Sequence, residues 1–440
     1  MRSLRLPTSV FLRSNPAWTG PRFRQLHLHL HKQNPSTSHD AVRASFSTSS
    51  KAVVEELPKD AVVQEEDVPG YNARDYYPVN IGEVLQDRYR VAAKLGYGVG
   101  STVWLCRDLT KNGADALRTI KVCTASEPSA LLNAQADREI AVAEHVATVE
   151  GEHPGRNYIR LVQDHFRITS PYGTTHCCLV YRPLGMNFTD LRDMFPGRSL
   201  DVPLFKQTLN VVLTGLDFLH QAGVVHTDIS PNNILLGIHD PGLLERIEQA
   251  EVDFPVPRKT LPDRTVYHSR LLPITHGVPA ISDFGMARIG DNHRGDIMPE
   301  VYRAPEVILG MEWSYAVDIW AVGVMLWDLL EGRSRFSGQR RPQPGPSADE
   351  QHLAEMVSLL GPPPQAFLQR SAACSKYWDA QGRWIAPTPV PAQSLWTRED
   401  KLSGEEKDRF VAFAQRLLCW LPEERASATD LLWDKFLYQP

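Results

Sequence analysis

The chain has 440 residues, of which 42% are hydrophobic and 22% charged, a balance that suits a soluble globular protein of two or three domains or one large two-lobed one. A formal net charge of −5 gives no general case for nucleic-acid binding, and six cysteines without a Cys-x-x-Cys pair argue against a disulfide framework or a zinc ribbon. No uninterrupted apolar run approaches the ~18 residues of a membrane helix. The richest, AVDIWAVGVMLWDLL, is broken by Asp318 and Asp328 and reads as a buried helix.

Residues 1–50 hold seven Arg or Lys, many Ser and a single acid, Asp40. That composition is typical of a mitochondrial presequence, with Arg43 and the run Phe46-Ser47-Thr48-Ser49-Ser50 as a processing region. A tail with no address is the alternative. Residues 51–75 then read as an acidic linker, punctuated by Pro58, Pro69 and Gly70 and predicted to lack structure of its own. Folded sequence is expected from Tyr76.

RYRVAAKLGYGVGSTVWLCRDL alternates as two strands joined by glycines, and ALRTIKVCT as a third. Because Gly96, Gly98 and Gly100 lie between strands, they do not fit a dinucleotide fingerprint, which needs a helix after the glycines. A bare turn remains open, as does a hairpin whose backbone approaches a phosphate. Lys121 stands between Ile120 and Val122, where an unpaired ammonium is costly, so it needs an acid. The helical segment SALLNAQADREIAVAEHVATV offers Asp137, Glu139 and Glu144. CCLVYRPLG reads as a strand running into an extended linker, with Cys177 and Cys178 as core residues. Phe205, Leu209, Val212, Leu216 and Leu219 then recur at helical spacing up to Gly223.

The stretch VVHTDISPNNILL, residues 224–236, sets Asp228 and Asn233 on a loop braced by apolar runs at both ends. A carboxylate there can accept a hydroxyl proton, and an amide can help hold a divalent cation. Between this loop and Ser282-Asp283-Phe284-Gly285 lies an insertion, 237–280. In it Asp240 and Pro241 read as the N-cap and first residue of a helix, PGLLERIEQAEV, and DFPVPRKTLPDR as a proline-rich surface loop. Ala304-Pro305-Glu306 follows, with Arg425 as a candidate partner for Glu306. Between Asp283 and Glu306 there is no Ser or Thr, and Tyr302 carries the sole hydroxyl. Residues 333–350 are basic and expected to be flexible, and Ser427 to Asp430 form a capping box opening a last helix, LLWDKFL.

Taken in order, these parts resemble a eukaryotic-type protein kinase over about residues 86–437. L-G-Y-G-V-G-S-T-V-W-L, H-T-D-I and the insertion before D-F-G resemble the SR-protein-specific kinases of the CMGC group. The resemblance implies an α+β, bilobal protein kinase fold. A small β-rich N-lobe with one long helix would span 76–185, and a larger, mainly helical C-lobe 186–440 would carry the insertion. It implies ATP contacts from Leu95, Gly96, Tyr97, Gly98, Val99, Gly100, Ser101 and Val103. Lys121, paired with Glu139 (D-R-E-I), would take the α/β-phosphates. The backbone of Arg182 and Leu184 would meet adenine, with Tyr181 as gatekeeper, and Asn233 and Asp283 would hold Mg2+. Asp228 would be the base, with Lys121 and Asn233 completing the catalytic set, and Asp318 would brace the loop from below.

Ser/Thr phosphorylation of protein substrates, Arg/Ser-rich in the best-known members, is the implied activity. The protein is expected to be a monomer with no direct nucleic-acid contact and no membrane span. Three departures matter: Thr227 replaces the usual Arg, Ser230 the usual Lys, and Ser101 the third glycine. A unit charge at 4 Å is worth on the order of 4 kcal/mol at an effective dielectric constant of 20, so losing the Lys could slow transfer up to roughly a thousandfold. The alternative is therefore an ATP-binding scaffold. Loss of the Arg together with every Ser and Thr of the activation segment predicts activity without phosphorylation there. Mitochondria are the expected location on the N-terminal composition, cytoplasm and nucleus on the SR-type resemblance.

Overall fold

The computed structural model describes residues 54–125, 131–240, 242–332 and 348–438, so the presequence-like segment and most of the basic stretch lie outside the described residues. The chain divides into two compact units. One takes the residues up to Ala136 together with Val162–Met186 and Leu236–Val278; the other takes Asp137–Leu161, Asn187–Leu235 and everything from Pro279 on.

The first unit is built on a six-stranded antiparallel sheet in the order β1-β2-β3-β4-β6-β5. Its strands are β1 Val84–Leu85, β2 Tyr89–Gly98, β3 Ser101–Asp108, β4 Leu117–Cys123, β5 Asp164–Thr169 and β6 Thr175–Tyr181. Strands β3 and β4 are buried almost throughout rather than on alternate residues, the pattern of a sheet covered on both faces. The cover comes from the insertion. Its helix Leu243–Asp253 sets Leu244 and Ile247 against Ala93, Leu105 and Leu117. Val256 and Tyr267 join a second cluster with Val91, Trp104, Ile120 and Val180.

Several expectations are corrected here. The insertion belongs with the β-rich unit and not with the helical one, because its apolar residues complete both clusters. Its helix begins at Leu243; Pro241 lies outside the described residues, and Asp240 accepts the Gly242 N–H at 2.9 Å. The proline-rich stretch is no plain loop, since Arg258–Thr260 pairs with Thr265–Tyr267. Nor is the acidic segment unstructured. From Glu56, which bridges to Arg258, it forms turns at Gln64–Asp67 and Ala73–Asp75. Its acids find partners that sequence reading could not supply: Lys94, fully buried, pairs with Glu65, and Lys259 with Glu66.

The second unit is helical. Its central helix, Ala316–Glu331, is buried along its whole length, apolar on every face apart from Asp318, Asp328 and Glu331. Helix Val202–Gln221 packs near it, capped by Asp201, whose Oδ1 accepts the Leu204 N–H at 2.8 Å. The capping box at Ser427 forms, but the predicted last helix is two short ones, Ala428–Leu432 and Lys435–Tyr438. Among the described residues no helix is long and apolar enough to cross a membrane.

Candidate active site

In the helical unit the catalytic-loop candidates and the D-F-G stretch are laced together. Val224–Val225 pairs with Arg288–Ile289, which ties the chain before His226 to the chain after Gly285. Asn233 donates from Nδ2 to the Asp228 carbonyl and to its carboxylate Oδ2, both at 2.8 Å. Ser282 N–H donates to the Asn233 carbonyl at 2.8 Å, and His226 Nε2 to the Ser282 carbonyl at 3.2 Å. Burial pushes the Asp228 carboxyl above its ordinary value; the Asn233 amide opposes this and the Asp283 charge adds to it. Two carboxylates beside an amide oxygen make a hard, anionic donor set suited to Mg2+. Among the described residues no three His, Cys, Asp or Glu side chains could enclose an ion. A Mg2+ that takes part of its shell from phosphate oxygens needs no such cage.

The hub of this network is Asp318, fully buried on the central helix. Its carboxylate accepts from His226 N–H at 2.8 Å, Thr227 N–H at 2.7 Å and His220 Nε2 at 3.0 Å. Those bonds hold a strained backbone at Thr227, whose φ of +68° is costly for a β-branched residue; Asp283, at φ +66°, accepts the Gly285 N–H at 3.2 Å. The Thr227 hydroxyl also donates to the Met286 carbonyl at 2.8 Å. It thereby links catalytic loop to activation segment directly. Tyr302, the segment's lone hydroxyl, is buried against Asp328. Glu306 and Arg425 form the anticipated ion pair through two bonds of 2.6 and 2.7 Å, and Arg425 also donates to the Ala316 carbonyl at 3.0 Å.

Of the three acids offered for Lys121, Glu139 is buried at 2% exposure, while Asp137 and Glu144 are exposed. Its neighbour Arg138 donates to the Gly285 carbonyl at 2.8 Å, a role the sequence did not signal, because a charged residue on a helix ordinarily reads as a solvated face. Beside Asp228 opens a cavity of about 320 Å3, lined by Met286, Asp296, Ile297, Met298, Pro299 and Arg303. Ser230 is buried and brings no charge to it.

In the β-rich unit the glycines form the hairpin between β2 and β3, with Gly98 opposite Ser101. A Cβ added at Gly96 or Gly98 would meet no protein atom within 4 Å, so the protein's own packing does not require glycine at either position. Glycine there leaves the backbone open to close approach. Val103 and Lys121 are cross-strand partners, both half-buried on strands otherwise nearly closed to solvent. Leu95 is half-buried, while Tyr97 and Val99 are exposed at the hairpin. Tyr181 and Leu184 are buried, and Arg182 is half-buried between them, where desolvation lowers its pKa.

The chain belongs to the protein kinase family: the profile of the protein kinase domain matches residues 89–437. It is 38% identical over 412 residues to a serine/threonine protein kinase of Aspergillus fumigatus, covering 92% of this chain and 96% of that one. It is 30% identical to the serine/threonine-protein kinase SRPK of Physarum polycephalum, covering 84% and 90%, and 24% identical to SRSF protein kinase 3 of Mus musculus, covering 85% and 90%. A kinase-domain crystal structure shares the fold at a TM-score of 0.61 and 22% identity, over 82% of this chain and 99% of that one. Within the family, then, this is a serine/threonine protein kinase of the SR type in the CMGC group.

Proposed function

We propose that this kinase transfers the γ-phosphate of ATP to Ser or Thr hydroxyls in Arg-rich protein segments, without phosphorylation of its own activation segment. The observation that carries the chemistry is the Asp228 carboxylate, oriented by Asn233, desolvated, and standing at a cavity beside Asp283. Asp228 accepts the proton of the attacking hydroxyl. Lys121 orients the α/β-phosphates, and the backbone of Arg182 and Leu184 receives adenine. Asp283 and Asn233 are the residues that would hold Mg2+, which neutralises charge on the phosphate oxygens when bound.

Two features support an Arg-rich substrate. Asp296 lines the cavity, and Ser230 leaves unfilled the positive charge that most kinases place beside the transferred phosphate. A substrate arginine held at Asp296 compensates for it. Independence from phosphorylation rests on Thr227, whose hydroxyl bonds Met286 where an Arg would need a phosphate, and on the burial of Tyr302.

The test uses radiolabelled ATP with an Arg/Ser peptide, the same peptide with its arginines replaced by Gln, and no peptide, for wild type and Asp228→Asn. Transfer is expected to the first peptide alone and only by wild type. Equal labelling of both peptides would remove the Arg requirement, and equal turnover by both proteins would remove Asp228 from the chemistry. Wild type treated with phosphatase should keep its rate. We further propose that residues 1–50 direct the chain to mitochondria; a C-terminal fluorescent fusion that keeps its location when those residues are deleted would refute it.

A further inference from the structure

The acidic arm ahead of the kinase domain ends at Tyr76, and its side chain reaches the glycine hairpin. The Tyr76 hydroxyl lies 2.9 Å from the Gly98 carbonyl oxygen and 3.0 Å from that of Val99, donating its one proton between them. The next carbonyl, of Gly100, accepts from the Thr124 N–H at 2.9 Å. Three successive carbonyls at the tip of the hairpin are therefore drawn to one side by protein donors. In a trans peptide the C=O and N–H point in opposite directions. Holding the carbonyls of Gly98 and Val99 thus turns the N–H groups of Val99 and Gly100 to the opposite face. Those are backbone donors of the kind that receive phosphate oxygens.

Tyr76 is itself held. The Ala125 N–H donates to the Asp75 carbonyl at 2.7 Å, the Tyr71 ring lies 5.1 Å from its own, and Arg264 of the insertion bonds the Ala73 carbonyl. Further up the arm, Glu65 pairs with Lys94, the residue of β2 just ahead of Leu95 and Gly96. The Lys94 carbonyl accepts the Arg270 N–H at 2.8 Å, so the insertion grips the same strand. Tyr76 is only 6% exposed, and burial pushes its hydroxyl up to about 12, so it stays a donor throughout the working pH range.

We propose that Tyr76 is a positioning residue for the nucleotide: it aims the Val99 and Gly100 N–H groups of the glycine hairpin at the phosphates. This rests on the reading of that hairpin as the phosphate cover. The arm and insertion are, on this view, the frame that a hairpin with little packing of its own requires.

Tyr76→Phe keeps the ring and removes the donor. Measured by calorimetry on the full chain, its affinity for ATP should fall roughly tenfold, the weight of one buried hydrogen bond, while adenosine, which has no phosphates, should bind as to wild type. KM for ATP should rise by a similar factor with kcat changed less than twofold. An equal loss for ATP and adenosine, or no loss for either, would overturn the proposal. The adenosine arm decides even if the variant melts earlier, because general loosening weakens both ligands. Wild type that bound no ATP would remove the nucleotide reading and this proposal together; wild type that binds ATP with an unchanged Phe variant would remove the proposal alone.

Discussion

The catalytic loop around Asp228 is fixed from within its own unit, by a buried carboxylate on the central helix that takes three donors at once. The glycine hairpin is fixed from outside the kinase core, by an arm and an insertion that other chains of this fold need not possess. The first arrangement stores strain at Thr227 and offsets it with charged hydrogen bonds. The second has no positive φ at Gly96 or Gly98, and it holds the peptide planes at the hairpin tip by neutral bonds, with the Lys94–Glu65 ion pair just before Leu95. A reacting base has to be placed once and kept there, whereas a phosphate cover must let nucleotide in and out. Strong internal bonding suits the one and light external bonding the other.

The largest break in this contrast is chemical. Asp228→Asn should lower kcat by about 10^2 to 10^4-fold, the range for a lost general base, with an unchanged melting midpoint; a variant that keeps more than a tenth of the wild-type rate would deny Asp228 that role. Asp318→Ala comes next, because it leaves the N–H groups of His226 and Thr227 buried and unpaired. Urea unfolding should show a loss of about 3 to 5 kcal/mol, and activity should fall with it. On the other side of the comparison, Lys94→Met alone leaves Glu65 facing an apolar wall and should cost roughly 3 kcal/mol, while Lys94→Met with Glu65→Leu should recover most of that. Additive losses in the double variant would mean the pair does not act as a unit.

Thr227→Val is a smaller change, keeping shape and dropping the bond to Met286; about 1 kcal/mol of stability and several-fold in kcat are expected, with wild-type behaviour counting against the link. The smallest effect is in pH. Asp228 acts as base only when ionised, and its folded pKa lies above the ordinary 3.8, so kcat/KM should decline, as pH falls, at a higher pH than an exposed aspartate would dictate. A decline that begins only at 3.8 or below would contradict the desolvation of this group.

How much of this could be read beforehand differs between the two regions. Asp228, Asn233, Asp283, Glu306 and Asp318 each sit in a short pattern whose spacing implies a role, and the structure brings Asp228, Asn233 and the D-F-G stretch together in one hydrogen-bonded network. In sequence the arm reads as an unstructured linker because a run of acids with two prolines has no apolar period. Its apolar contribution is made by single residues such as Val63, too sparse to form a pattern. Because it follows the catalytic loop, the insertion reads in sequence as part of the helical lobe, yet Gly237 and Gly277 approach so closely that a Cβ on either would strike the other strand's backbone. Chain that leaves and returns at one point is free to pack wherever its apolar face finds cover.

By itself, the sequence marked the candidate groups for the chemistry, since they fall in short motifs that resemble those of protein kinases. It also marked β2, β3, β4 and β6 and the long helices, but not β1, β5 or the strand pair within the insertion. Only the tertiary structure decided what holds those groups. The pairing of Lys94 with Glu65 spans 29 positions, its bond to the Tyr267 carbonyl 173, and the reach of Tyr76 to the hairpin 22. Contacts of that kind leave no local trace, because their free energy comes from burying a charge or a hydroxyl beside a partner that only the fold brings near.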